Sequence, residues 1–194
     1  MLAKGFAQKP GIDYDLTFAP IMRVKNLHLL LALATTLNLN IHQMDVDSTF
    51  LHALLAEEIY IKQLQNTPNH VYRLRKSLYG LKQAPHVWNQ TIDGHLRACG
   101  YEPTDADPCV YVRHQGKLVA IVAIYVDDCT IFASPPLVNE VKAMLKSKFN
   151  MKDLGEAKSI LRIKILHDWK NGRVNIKQNS KVTEILTGFR LDQS

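Results

Sequence analysis

The chain has 194 residues, 46% of them hydrophobic, with a formal net charge of +6. That length buries a real core, in one domain or two small ones, and the basic excess suits a polyanionic partner. Three cysteines (Cys99, Cys109, Cys129) with no CxxC pair argue against a disulfide framework, and no apolar run reaches the ~20 residues of a spanning helix.

The N-terminus also lacks the apolar stretch of a signal peptide, so the expectation is a soluble, intracellular, cytoplasmic chain with no membrane partner. Residues 1 to 20 read as loop, punctuated by Pro10-Gly11 and Pro20. From Val24 to Leu37 apolar residues recur at helical spacing, and Asn38 and Asn40 end that helix. "NIHQMDV" then alternates as a strand. "EEIYIKQ" and "HVYRLRKS" alternate as well and pair as a ribbon across the polar "LQNTPN". Pro85 opens a helix over His86 to Ala98, closed by Gly100. Residues 109 to 113 and 117 to 133 give three strands. Pro135-Pro136 starts a third helix, Leu137 to Phe149. Two more strands within 158 to 178 are joined at Asn171-Gly172, a strong hairpin signal, and Lys181 to Phe189 begins a further helix. The central β-α-β-β-α-β order fits an α+β layer with helices on one face of an antiparallel sheet of three or four strands.

Within "AIVAIYVDDCTIFAS", residues 120 to 134, two adjacent acids interrupt an apolar run. Asp127 and Asp128 stand between two strand-like stretches with no cation nearby in sequence. Asp is an ordinary turn residue, so a solvated turn is one reading. A two-residue hairpin, however, favours Asn-Gly or Asp-Gly, and buried charges are normally paired or metal-bound, so a cation site is the other. Asp45, at the end of "NIHQMDV", is a third acid in an apolar context. It meets the pair only if the two strands are neighbours in one sheet. Converging carboxylates suit Mg²⁺, which takes one or two carboxylates plus substrate phosphates, and paired Mg²⁺ ions serve phosphoryl transfer. The eight histidines show no HExxH spacing, and there is no GxxxxGK[ST] loop or Ser-His-Asp pattern.

"YVDD" at Tyr125 to Asp128 resembles the catalytic signature of reverse transcriptases. Further stretches narrow the likeness to the copia-type LTR retrotransposon branch: "AKGFAQKPGIDYDLTFAPI" at 3 to 21, "HQMDVDSTFLHALLAEEIYIKQ" at 42 to 63, "YRLRKSLYGLKQAPHVW" at 72 to 88, "DADPCVYVR" at 105 to 113 and "MKDLGEAK" at 151 to 158. They follow the family's order along nearly the whole chain.

The resemblance implies a fingers-palm core with the thumb largely missing: fingers-like parts at 1–40 and 55–85, palm at 41–54 and 86–170. It implies two Mg²⁺ ions, for which Mn²⁺ could substitute, with Asp45 and Asp127 as principal ligands and Asp128 as the third acid. One ion lowers the pKa of a primer 3′-hydroxyl and the other neutralises triphosphate and pyrophosphate. Phe50 would sit under the sugar and exclude a 2′-hydroxyl; the plainer reading is a core aromatic. Tyr79, Gly80, Lys82 and Gln83 would line the nucleotide and template, with Tyr125 and Val126 beside them. Lys82 could equally sit on a solvated face. Arg73, Arg75 and Lys76 would follow template backbone, or form solvated surface. Trp88 and Met44 read as core. Expected partners are an RNA or DNA template-primer, deoxynucleoside triphosphates, and the RNase H and integrase segments of an intact polyprotein, in a virus-like particle.

The chain also departs from the family's pattern. Met1 falls inside the upstream basic strand, leaving only Lys4 of it. The family's V-K-T-A-F-L-N-G reads Val46-Asp47-Ser48-Thr49-Phe50-Leu51-His52-Ala53 here, adding an acid at Asp47. A P-P-G turn is lost before His70. The family's F-L-G-I-E-I strand reads Ile160-Leu161-Arg162-Ile163-Lys164-Ile165, placing Arg162 where glycine allows backbone approach. Two readings follow: an RNA-directed DNA polymerase core, or a degenerate, non-catalytic relic that at most binds nucleic acid.

Overall fold

A computed structural model describes residues 3–62, 71–168 and 172–189. The expected "LQNTPN" connection and the Asn171 half of the expected turn lie outside the described residues.

Helix α1 (Val24–Thr36) leads into strand β1 (Asn40–Val46). A short turn of 3-10 helix (Thr49–His52) follows, then β2 (Leu54–Lys62) and β3 (Val71–Lys76), which form their own two-stranded antiparallel sheet. Helix α2 (Ala84–Ala98) starts two residues before His86, because Pro85, with no N–H to satisfy, fits its first turn. Beyond α2, Gly100 at φ +81° lets Tyr101 N–H reach back to the Leu96 carbonyl, ending the helix. Strands β4 (Glu102–Thr104), β5 (Asp107–Gln115), β6 (Leu118–Tyr125) and β7 (Asp128–Ala133) form a meander. Helix α3 (Val138–Lys148) and β8 (Met151–Glu156) follow. Then come β9 (Ser159–Ile160), β10 (Ile163–Asp168), β11 (Arg173–Lys177) and α4 (Asn179–Gly188).

The principal sheet has six strands in the order β4-β5-β6-β7-β1-β8, every pairing antiparallel, rather than the three or four expected. Its heart, β1-α2-β6-β7-α3-β8, carries the expected β-α-β-β-α-β order, a split βαβ arrangement that puts β1 between β7 and β8. β8 is a sheet edge that alternation alone does not reveal, since only Met151 of its residues is buried.

Both faces of this sheet are covered, which corrects the one-sided layer. On one face Trp88, Ile92 and Leu96 of α2 and Val141 and Leu145 of α3 pack against Met44, Val122, Ile124, Cys129 and Ile131. On the other, Leu27, Leu30, Leu31 and Ala34 of α1, with Ile160, Ile163 and Ile165, cover Ile41, Ile121, Ala123 and Phe132. Strand alternation divides the two sets, because successive side chains leave opposite sides of the sheet. The start of α1 is secured from far along the chain. Buried Asp107 accepts hydrogen bonds from Arg23 N–H at 3.0 Å and from Asn26 Nδ2 at 2.6 Å, and its other oxygen takes Cys109 N–H at 3.0 Å. These donors hold its carboxyl below the ordinary value despite burial, which alone would raise it.

Two expected details change. The hairpin linking β6 and β7 turns on Val126-Asp127, with Asp128 already paired opposite Tyr125, so Asp127-Asp128 is not the turn. "ILRIKI" is not one strand: Ile160 pairs with Ile163 across a two-residue turn at Leu161-Arg162, with φ of +50° and +64°. Two consecutive positive φ values are what a tight I′ hairpin demands. Arg162 therefore holds a backbone conformation that glycine adopts without strain.

Candidate active site

β1 and β7 run antiparallel in a register that sets Asp45 directly opposite Asp128. Opposed residues in a sheet point to the same face, with Cβ atoms about 4.5–5.5 Å apart. Asp127 occupies the adjoining turn, where its carbonyl accepts Val46 N–H at 3.1 Å. The strands thus bring Asp45 to the adjacent acids Asp127 and Asp128, at one end of the middle of the sheet.

The turn is held against its own preference. Val126 has φ +54°, a region costly for a β-branched residue by about 1–3 kcal/mol. Trp88 opposes that strain: its indole N–H donates to the Val126 carbonyl at 2.9 Å. Trp88 is buried as expected, yet it is also a strut for the hairpin. Phe149 packs edge-on against it with centroids 5.1 Å apart, and His52 meets the same Phe149 ring at 5.6 Å. Beside the hairpin a cavity of ≈ 200 Å³ is walled by Ala19, Pro20, Ile21, Pro85, Trp88 and Val126.

The carboxylates differ in their surroundings. Asp128 Oδ1 accepts from Gln43 Nε2 at 3.3 Å. Burial pushes the Asp128 carboxyl up, Gln43 opposes this, and Asp45 and Asp127 add to the rise. Asp127 Oδ2 accepts the Tyr79 hydroxyl at 3.3 Å, whereas Asp127 Oδ1 is buried with no hydrogen-bond partner. On the far side of β1, exposed Lys152 of β8 is the register partner of Asp45. Asp47 is tied to the α3–β8 link, accepting Asn150 Nδ2 at 3.1 Å and donating its N–H to the Asn150 carbonyl at 2.9 Å.

The structure supplies a donor set rather than a closed cage. Among the described residues no group of three or more His, Cys, Asp or Glu side chains is arranged to hold a metal ion. The oxygen-only donors, the charges converging on Asp128 and the orphaned Asp127 Oδ1 nevertheless fit a hard divalent cation that completes its shell with water and phosphate.

The other expected site residues divide into two groups. Phe50 is only 7% exposed and belongs to the core; its ring lies 4.4 Å from the Tyr79 ring, with the planes inclined at 54°. Tyr79, Tyr125 and Val126 adjoin the acids, and Phe50 stands behind Tyr79. Lys82 and Gln83 are occupied elsewhere. Gln83 is fully buried, accepting from Gln8 Nε2 at 3.0 Å and donating to the Asp13 carbonyl at 2.9 Å. Lys82 N–H donates to Gln8 Oε1 at 2.8 Å, and its ammonium donates to the Tyr14 hydroxyl at 3.2 Å. Gly80, at φ +97°, allows a close approach, but to the chain itself: a Cβ there would stand 2.2 Å from the Ala3 carbonyl oxygen. Arg73, Arg75 and Lys76 are exposed on β3, in the two-stranded sheet, and Arg73 pairs with Glu58 at 2.8 Å. Gln43 and the hairpin contact of Trp88 carry no local signal in the sequence, since both depend on strands and helices meeting over long separations.

Comparison with known proteins identifies a family. A family model described as reverse transcriptase (RNA-dependent DNA polymerase) matches residues 1–194. The chain is 37% identical, over 98% of its length, to a retrovirus-related Pol polyprotein from transposon TNT 1-94 of Nicotiana tabacum, and spans 15% of that protein. It is 34% identical over 84% of its length to the Pol polyprotein of transposon RE1 from Arabidopsis thaliana, spanning 12% of it. A putative transposon Ty5-1 protein of Saccharomyces cerevisiae is 35% identical over 78% of the chain, which spans 52% of that protein.

Proposed function

The chain belongs to the reverse transcriptase (RNA-dependent DNA polymerase) family, as the domain carried by copia-type retrotransposon Pol polyproteins, and on that premise we propose that it forms the fingers and palm of an RNA-directed DNA polymerase. Residues 1–40 and 55–85 act as fingers and residues 41–54 and 86–170 as palm. The observation that carries the reading is the register of β1 against β7, with Asp45 opposite Asp128 and the buried, unpartnered Asp127 Oδ1 beside them. Asp45, Asp127 and Asp128 would hold divalent cations. Bound there, Mg²⁺ supplies charge neutralisation for a triphosphate and acidifies a primer 3′-hydroxyl. The chain's own part is alignment, because a misplacement of about 1 Å costs ~100-fold in rate. Trp88 and the Val46 N–H fix the hairpin that carries Asp127, and Phe50 lies under the sugar.

The net charge of +6 and the exposed Arg73, Arg75 and Lys76 support salt-sensitive binding of a template-primer. A second reading, nucleic-acid binding without catalysis, is favoured by the internal engagement of Lys82 and Gln83. Incorporation of a labelled deoxynucleotide separates the two. The protein assayed is the chain continued by its flanking polyprotein segments, beside its Asp127→Asn variant. Incorporation that disappears in the variant supports the polymerase. Incorporation that persists undiminished overturns the site, and none in either protein leaves the binding reading in its place.

A further inference from the structure

The Tyr79 hydroxyl touches a carboxylate that is otherwise exposed to the repulsion of two others. It donates to Asp127 Oδ2 at 3.3 Å, and the opposite oxygen, Oδ1, is buried and unpartnered. A carboxylate rotates freely about its last torsion unless something distinguishes its oxygens. Here the distinction comes from a residue 48 positions away in sequence. Tyr79 is itself braced: its backbone carbonyl takes Ala3 N–H at 2.7 Å, and its ring rests 4.4 Å from the Phe50 ring. Phe50 sits in the turn of 3-10 helix that follows β1, so the brace returns to the strand carrying Asp45.

Resting on the metal-binding reading above, the geometry points to Tyr79 as a positioning residue for the cation site: its hydroxyl holds Asp127 Oδ2 and thereby leaves Oδ1 to face the metal, with Phe50 fixing the ring that carries the hydroxyl. This reassigns Tyr79 from lining the nucleotide to orienting a metal ligand. Groups that hydrogen-bond to ligating side chains fix their orientation, and their loss typically weakens metal binding by 10–100-fold. Tyr79 suits the task chemically. A phenolic O–H is a donor at neutral pH, and here it reaches Asp127 Oδ2.

The test is Mn²⁺ binding to the 194-residue chain, read from the free-ion electron paramagnetic resonance signal, which needs no catalysis. The parent, Tyr79→Phe and Asp127→Asn are compared, with thermal unfolding as the check on folding. Tyr79→Phe keeps the ring on Phe50 and removes one oxygen. It is expected to weaken Mn²⁺ binding by about tenfold or more at an unchanged number of sites. Parental affinity in Tyr79→Phe, alongside loss of binding in Asp127→Asn, overturns the positioning role while leaving the metal site intact. Parental Mn²⁺ binding that Asp127→Asn does not weaken overturns the metal site, and the positioning role falls with it. Should Tyr79→Phe fail to fold, Phe50→Leu decides: it keeps the hydroxyl but slackens the ring beneath it. Weaker Mn²⁺ binding there supports the role, and unchanged binding overturns it.

Discussion

Asp45 and Asp128 face each other across neighbouring strands in the interior of a six-stranded sheet, with Asp127 in the turn beside them. Burial and the two neighbouring acids hold the Asp128 carboxyl above its unfolded value of 3.8. Folding therefore favours the protonated form. That contribution is present below the unfolded value and is lost as pH rises through the raised folded value. At neutral pH the ionised carboxylate opposes the fold. Asp128→Asn, which keeps an acceptor for Gln43, should raise the thermal midpoint at pH 7 by about 2–4 °C, with the gain shrinking toward pH 4. Calorimetry across that range checks it; no gain at pH 7 contradicts it.

Phe50 is packed in the core, and the proposed polymerase gives the same ring a second task in sugar selection. Being 7% exposed in the core, it should lose about 3–4 kcal/mol of stability on Phe50→Ala, measured by urea unfolding. In a chain extended to a working polymerase the same variant should admit ribonucleotides far better than the parent, because discrimination by a clash ends when the clashing group is removed. Unchanged sugar discrimination together with the loss of stability returns Phe50 to core packing alone.

Asp107 gives a pH signature of the opposite sign. Its carboxyl lies below the ordinary 3.8 because Arg23, Cys109 and Asn26 donate to it, so its stabilisation is full above 3.8 and is lost as pH falls through the depressed folded value. Asp107→Ala should cost about 2–3 kcal/mol at pH 7, as hydrogen bonds to a charged group do. The gap between parent and variant in urea unfolding should narrow below pH 3.8. A gap independent of pH would remove the carboxylate from the account.

Arg162, at φ +64° in the Leu161-Arg162 turn, occupies a conformation that glycine adopts without strain. Arg162→Gly should stabilise the chain by about 1 kcal/mol, seen as a higher thermal midpoint. A lower midpoint would show that the arginine side chain contributes more than its backbone loses.

Helical spacing and apolar strand-like runs were informative for the elements that build the two core layers. The helices at 24–36, 84–98 and 138–148 and the strands at 40–46 and 118–125 stand close to where spacing predicts them. Legibility failed where partners are distant or local preference is overridden. Val126 in a left-handed conformation contradicts its own β-branched character, so the turn reads one residue too late. Gln83, a polar residue, is buried because Gln8 and Asp13 come to it from the other end of the chain. Met151–Glu156 has no strand-like alternation because an edge strand needs little apolar surface. Asp45 and Asp127 were legible as odd residues in apolar settings, but their meeting depends on a sheet order that no local pattern encodes.

That sheet order has a consequence for how the chain is made. β1 emerges from a ribosome before both of its neighbours, residues 128–133 on one side and 151–156 on the other. Until residue 156 has been synthesised, Ile41, Met44 and Val46 belong to a strand with at least one bare edge, a template for pairing with other chains. Contacts this distant are also slow to form, because a long loop must close before any of them contributes. The nascent domain thus carries an unpaired, adhesive strand edge until both neighbours have been made. Chains stalled before residue 151 should be digested by protease far faster than chains stalled after residue 168.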